Sequence, residues 1–484
     1  MDGEGVREKT GKVLGGLASA ERAAIDRLCE WLSIPSVGTD PAHDADTRRA
    51  GEWAAEHLRT SGFEAELVET VGGDERGHPC VVAHAPGDAG YAGPHVLFYG
   101  HYDVQPADPL ELWRSGPFEP RIEPAESGLG ERVVARGAAD DKGQVSMFLE
   151  AMRAWKDAGG PVAGGARVTV LLEGEEESGS AHLRAFLEAN RARFEPCDVC
   201  VISDTTMLGR GRPAITYGLR GMCYVEAVLH GPDQDLHSGL WGGRVPNPIN
   251  ELVGVLAQLK DTDGRVTVPG FYDGVRDPNP EELAQWGALG IDAGEQLALI
   301  GLPPEADVGE RGHGFVARGW ARPTCDINGI VGGYTGEGAK TVIPGRASAK
   351  LSFRLVDEQD PERIRDAVFD WFRERTPPGC RWELDDHGVG PGATVAIDSP
   401  ALTAARAAMG SACGVEPALI RSGGSIPVAG MLKEMLGIET VFMGFGLDDD
   451  RVHSPNEKFE LECWRQGARS HAALPAELWA IGGR

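Results

Sequence analysis

Arg167-Val-Thr-Val-Leu-Leu-Glu-Gly-Glu-Glu-Glu-Ser-Gly179, with Ala181-His-Leu-Arg-Ala-Phe-Leu-Glu-Ala189 and Asp198-Val-Cys-Val-Ile202 behind it, decides the fold class. Arg167 to Leu172 is β-branched and apolar and predicts a buried strand, Ala181 to Ala189 has helical spacing, and Asp198 to Ile202 is apolar again. Strand, helix and strand in this order form the unit of a buried sheet. Upstream, His95 to Gly100 is a short apolar run and Gly143 to Trp155 is helical. Downstream the rhythm returns, with helices over Ala401 to Ala412 and Val428 to Leu436 and a strand over Thr440 to Phe445. Ile25, Leu28 and Leu32 predict an N-terminal helix from a Ser19 cap to Ile34, and a second covers Thr47 to Leu58 before Gly62. The expectation is an α/β fold around a mixed, mainly parallel sheet.

Between the two α/β stretches the pattern changes. Met222 to Leu229 and Ala347 to Leu355 alternate as half-exposed strands, while Ile249 to Leu259 and Arg363 to Phe372 are helical. Two such pairs suggest an inserted α+β unit, with the weakly patterned, Pro- and Gly-rich stretch from Asp261 to Pro323 as its embellishment. The expected division is residues 1–216 and 393–484 for one domain and 217–392 for the insertion.

The 484 residues carry 47 Lys and Arg against 74 Asp and Glu, a formal charge of -27, which argues against nucleic acid and against an anionic membrane surface as partners. Apolar runs are strand-sized, so no membrane-spanning segment is expected. The acidic N-terminus lacks the character of a signal peptide, and nine scattered cysteines fit a reducing compartment, so the expected location is cytoplasmic. Cys197 and Cys200 form the one C-x-x-C, inside an apolar run and without a second pair to complete a zinc site.

Acidic and histidine clusters follow the expected strand ends, where ligands gather in open α/β sheets. They are His101-Tyr-Asp103, Arg136-Gly-Ala-Ala-Asp140-Asp141-Lys-Gly143, Glu173-Gly-Glu175-Glu176-Glu177-Ser-Gly179 and Ser203-Asp204-Thr205. Each alone has an ordinary explanation: a strand-end turn, a helix cap, a solvated face or another cap. His453, in Arg451-Val-His-Ser-Pro-Asn-Glu457, alone reads as a surface histidine. Together, His101, Asp140, Glu177, Asp204 and His453 supply two imidazoles and three carboxylates, the inventory of a two-metal hydrolytic site.

In order, H-Y-D-V-Q-P, R-G-A-A-D-D-K-G, E-E-S-G-S, S-D-T, D-L-H-S-G, K-T-V-I-P and H-S-P-N-E resemble the dinuclear zinc peptidase family of carnosinases, glutamate carboxypeptidases and acyl-amino-acid deacylases. The likeness runs from about residue 95 to about residue 460, and D-L-H-S-G-L-W-G-G with R-S-G-G-S-I-P at Arg421 to Pro427 is most similar to the cytosolic dipeptidase branch. The resemblance implies a zinc-peptidase catalytic domain interrupted by a lid and dimerisation domain. It implies two Zn2+ per subunit, with Mn2+ or Co2+ as substitutes. Asp140 would bridge them, His101 and Asp204 would complete one site, and Glu177 and His453 the other. Asp103 would orient His101, Glu176 would be the general base, and Glu175 a spacer. His237 matches an oxyanion-stabilising histidine delivered from the partner of a homodimer with shared active sites. Asn328 and Arg354 match positions that hold the substrate's terminal carboxylate, and Gly424 and Ser425 lie in a substrate-contacting loop. The implied reaction is hydrolysis of dipeptides or short peptides, with Glu176 taking a proton from a water between the ions.

Three other readings compete. An N-acyl-amino-acid deacylase would use the same metals. A non-catalytic metal-binding protein would have lost its base, yet Glu176 is present. Gly332-Gly-Tyr-Thr-Gly-Glu-Gly-Ala-Lys340-Thr suggests a nucleotide-binding loop but lacks G-K-[ST].

Overall fold

Four apolar strands, Val168–Glu173, Val96–His101, Val199–Ile202 and Glu439–Phe442, lie side by side and run parallel. In this computed structural model, which describes residues 2–72, 75–128 and 130–482, they form the centre of a nine-stranded mixed sheet. Antiparallel strands extend it at both sides, Cys80–Ala85 and Glu64–Val68 beyond Val168–Glu173, and Ala214–Leu219 beyond Glu439–Phe442. The parallel strands are buried along nearly their whole length, as their unbroken apolar runs require.

Helices Gly3–Leu32, Lys142–Asp157 and Leu461–Gly482 pack on one another. Phe148 of the middle helix stacks on Phe98 of the sheet at 3.8 Å between ring centroids, and His471 meets both rings edge-on. Pro400–Cys413 packs on Leu461–Gly482, and Asp44–Thr60 packs on the two antiparallel edge strands. The first helix is longer than expected. Val6, Val13 and Leu17 continue its buried stripe, so Asp2 is the N-cap, and Ser19 instead donates to the Gly15 carbonyl inside the helix. The Leu461–Gly482 helix has no counterpart in the sequence analysis; Gly467 and Pro475, residues that ordinarily interrupt helices, lie inside it.

The chain divides into two units, Met1–Tyr217 with Val395–Ile420 and Leu432–Arg484, and Gly218–Thr394 with Arg421–Met431. The second therefore takes in a loop and helix start that the sequence reading left with residues 393–484. Its sheet is antiparallel, in the order Thr324–Gly332, Arg346–Leu355, Gly221–His230, Arg381–Gly390. Gly221–His230 alternates buried and half-buried residues, so one face joins a core with Leu252, Phe353, Val368 and Trp371, the helical members coming from Pro248–Leu256 and Pro361–Glu374. The expected two strands are thus four. Neither outer strand shows a clean alternation: Arg381–Gly390 exposes Glu383, Asp385, Asp386 and His387, and Thr324–Gly332 exposes Ile327, Ile330 and Val331 beside Asp326 and Asn328. Residues 261–323 hold helices Pro280–Ala288, Ala293–Leu299 and Phe315–Trp320, too short to show a clear period. The Gly332–Lys340 run follows a strand, but no helix opens after it, so the phosphate-binding context is absent there.

Candidate metal centre

Each cluster sits at the carboxyl edge of the parallel strands because the chain turns there. His101 ends its strand, Glu173 ends its own, and Asp204 follows Ile202 by two residues. The turn before helix Lys142–Asp157 brings in Asp140. The cap explanations do not apply: no side chain caps that helix, and no helix starts beside Asp204.

The five ligand candidates form two sets, His101 with Asp140 and Asp204, and Asp140 with Glu177 and His453; within each set the ligand atoms lie within 4.8 Å of one another. The shared Asp140 divides its oxygens between them. Its Oδ1 lies 3.1 Å from His101 Nε2 and its Oδ2 lies 2.9 Å from His453 Nε2. Asp204 Oδ2 is 3.9 Å from His101 Nε2, and Glu177 Oε2 is 3.3 Å from His453 Nε2. Donor atoms about 3.3 Å apart are what a tetrahedral ion with bonds of ~2.0 Å gathers around itself. His101 Nε2 is buried without a hydrogen-bond partner among the described residues, as a ligand nitrogen would be. The residues therefore fit divalent ions in both sets.

Electrostatics point the same way. Burial pulls the His101 imidazole down, but Asp103 and Asp140 outweigh it and hold it well above its ordinary range. Contacts with Asp140 and Glu177 push His453 up to about 10. Burial raises Asp140, yet the two histidines overcome it and hold its carboxyl well below the usual range. Burial, then Asp141 and Asp140, keep Asp204 well above it. A site that draws protons onto imidazoles and carboxylates is short of positive charge, which divalent cations supply.

Supporting residues fix these groups. Asp103, fully buried, accepts from the main-chain N–H of Glu176 at 3.3 Å and of Glu177 at 3.0 Å, while His101 Nδ1 lies 3.1 Å from its carbonyl and 3.4 Å from its Oδ1. Gln105 donates to Glu177 Oε2 at 2.8 Å. Glu176 belongs to neither ligand set, and burial, opposed by His101 and helped by Glu177, Asp140 and Asp103, pushes its carboxyl up to about 7. Glu175 is more than a spacer: it is buried and accepts from His182 Nδ1 at 3.0 Å. Sequence reasoning also gave no role to Glu457, whose buried carboxylate takes four hydrogen bonds, from the Arg136 side chain and the main-chain N–H groups of Gly137, Ala139 and Asp140. Its signal was its place at the end of H-S-P-N-E.

In the second unit, the expected residues lie as follows. Arg354 donates to Ser425 Oγ at 2.8 Å, and Ser425 donates to the Arg220 carbonyl at 2.6 Å. Gly424 accepts from the Arg220 N–H at 3.1 Å. Arg354 has no ion-pair partner among the described residues, and burial, with Asp326 opposing, lowers its guanidinium. Asn328 occupies a bulge in the Thr324–Gly332 strand. His237 is exposed at the end of a two-residue strand, where its Nδ1 accepts from the Gly239 N–H at 3.0 Å. Cys197 and Cys200 join no metal-binding group among the described residues.

Oxygen and imidazole donors in two sets sharing an aspartate, with a carboxyl of near-neutral pKa alongside, define a metal-dependent hydrolase of the α/β class. The chain belongs to peptidase family M20/M25/M40, whose pattern residues 97–477 match. It is accordingly a hydrolase, and the family implies use of a divalent metal. It is 31% identical over 464 residues to the Cys-Gly metallodipeptidase DUG1 of Candida albicans, covering 92% of each chain. Identity to the Beta-Ala-His dipeptidase of Homo sapiens is 31% over 468 residues, 94% of this chain and 90% of that one. The solved structure of the dipeptidase Dug1p from Saccharomyces cerevisiae superposes with a TM-score of 0.82 at 28% identity, over 97% of this chain and 98% of that one.

Proposed function

We propose that the chain hydrolyses dipeptides or short peptides with a free C-terminal carboxylate at a site holding two divalent ions, Zn2+ by preference. The observation that carries this reading is the Asp140 carboxylate, which gives one oxygen to the His101 side and the other to the His453 side. His101 and Asp204 would hold one ion, Glu177 and His453 the other, and Asp140 both. When bound, such ions acidify a water and polarise the substrate carbonyl.

The remaining work falls to the chain. Glu176, outside both ligand sets, takes the proton of the attacking water and returns it to the leaving amine. Asp103 positions this base and the ligands Glu177 and His101 together, since it contacts all three residues. Arg354 has no ion-pair partner among the described residues and, with Asn328, Gly424 and Ser425, would receive the substrate's terminal carboxylate. His237 would stabilise the oxyanion in a partner chain, so a homodimer with shared sites would be the active unit, the second unit serving as lid and dimer contact. A cytoplasmic location is supported by nine free cysteines. No helix among the described residues is long and apolar enough to cross a membrane.

The dipeptidase reading is taken over N-acyl-amino-acid deacylation because relatives matching more than nine-tenths of the chain are named for Cys-Gly and Beta-Ala-His. The test strips the protein with chelator, reloads it with Zn2+, Mn2+ or Co2+, and assays both dipeptides beside N-acetyl amino acids. Dipeptide turnover should vanish on stripping and return on reloading. Full turnover without metal would overturn the reading, and faster cleavage of N-acetyl amino acids would favour the deacylase.

A further inference from the structure

We infer that Glu457 is a positioning residue for the second ion set, acting by bolting the His453 loop to the Asp140 turn; this rests on the two-ion reading above. Its carboxylate is fully buried. Oε2 accepts from Arg136 Nη1 at 2.7 Å and the Gly137 N–H at 2.9 Å, and Oε1 accepts from the Ala139 N–H at 2.8 Å and the Asp140 N–H at 3.1 Å. Four donors on two oxygens leave the group little freedom, and the bond from the Arg136 guanidinium is charge-assisted. The chain from Gly137 to Asp140 is thereby wrapped around one side chain, and that side chain is attached four residues after His453.

The two ion sets depend on this bolt unequally. His101 ends a strand paired on both sides, and Asp204 follows the end of another, so the sheet itself holds them. His453 has no such support. It is 54% exposed, and Arg451, His453 and Asn456 all have positive φ, between 59° and 63°, so the loop has left-handed turns that its surroundings must maintain. Its start is held by fully buried Asp450, whose Oδ2 accepts from the Leu447 N–H at 2.7 Å, and its anchors toward the Asp140 turn come at its end. Asn456 donates to the Leu112 carbonyl and accepts from the Arg114 N–H, both at 2.8 Å, and Glu457 follows immediately. Loosening these anchors therefore moves His453 relative to Asp140 and Glu177 while His101 and Asp204 stay in place.

The test is a calorimetric Zn2+ titration of metal-stripped protein, with circular dichroism and thermal melts alongside. Wild type should bind two ions. Glu457→Gln keeps the size of the side chain but turns an NH2 toward main-chain donors. It should bind the second ion about 10- to 100-fold more weakly, the usual effect of losing a residue that orients a ligand, and the first ion, which shares Asp140 but not the His453 loop, with a clearly smaller loss. Asn456→Gly keeps the positive φ, loses only the side-chain anchors, and should shift the second ion in the same direction by less. It carries the test if Glu457→Gln does not fold. A double-mutant cycle with His453→Ala separates positioning from general damage: on that background Asn456→Gly, which leaves the Asp140 turn untouched, should leave the one remaining affinity unchanged. Equal weakening of both ions, a further loss from Asn456→Gly on the His453→Ala background, or no change in either anchor variant would overturn the proposal. Wild type that fails to bind two ions would instead overturn the two-ion reading.

Discussion

Glu176 and Glu177 are chain neighbours on one short helical turn with different surroundings, and that difference is the sharpest consequence at the scale of the residue. Glu177 Oε2 lies 3.3 Å from His453 Nε2, as a ligand would, whereas Glu176 joins neither set. Replacing Glu176 by Gln removes a base but no ligand. We expect kcat to fall by ~10²- to 10⁴-fold while metal content measured by atomic emission stays at the wild-type level. Glu177→Gln should lose metal as well as activity. Exchange of the two phenotypes would show that the ligand and base positions are shifted by one residue.

At the scale of the element, the helix Lys142–Asp157 matters because the turn before it carries Asp140. Gly143 lies in its first turn, where a Cβ would stand 1.7 Å from the Ala138 carbonyl oxygen. In an open helix, Gly→Ala stabilises by about 1 kcal/mol. Here the methyl group meets rigid backbone, so Gly143→Ala should destabilise by about 1–3 kcal/mol, read as a lowered Tm, and should disturb the Asp140 turn enough to weaken metal binding. A raised Tm would contradict the geometry. The same element shows what was legible in the sequence. Buried parallel strands announce themselves as apolar runs, and acids and histidines just past their ends stand out because burying charge is costly without cations. The outer strand Arg381–Gly390 did not, since exposed Asp385, Asp386 and His387 break the alternation of Trp382, Leu384 and Val389, the residues it packs on the core. Glu457 was equally silent: whether an acid is solvated or fully buried under four donors depends on chain segments some 320 residues away.

At the scale of the whole molecule, burial and assembly set the remaining expectations. His57, His95 and His471 are buried, and desolvation pushes them down to about 4, 4 and 3. Their folded pKa values lie below the unfolded value of ~6.5, so below that pH the unfolded chain takes protons that the folded chain refuses. Stability should fall as pH drops from about 6.5 toward 4, by up to ~3 kcal/mol per histidine. His471→Gln, at the residue wedged among Phe98, Phe148 and Phe445, should flatten that dependence in metal-free protein; parallel curves for variant and wild type would refute this account. Assembly supplies the last expectation. If His237 serves the site of a partner chain, Glu176→Gln and His237→Ala chains are each nearly inactive, but unfolded and refolded together they form mixed dimers. In such a dimer one site combines both defects, while the other receives Glu176 and His237 intact from opposite chains. With random pairing half the dimers are mixed and one of their two sites is whole, so activity should return to roughly a quarter of wild type. Were His237 to act within its own chain, every site would keep one defect. A mixture that stays inactive although heterodimers are verified by mass spectrometry therefore rules out the shared site.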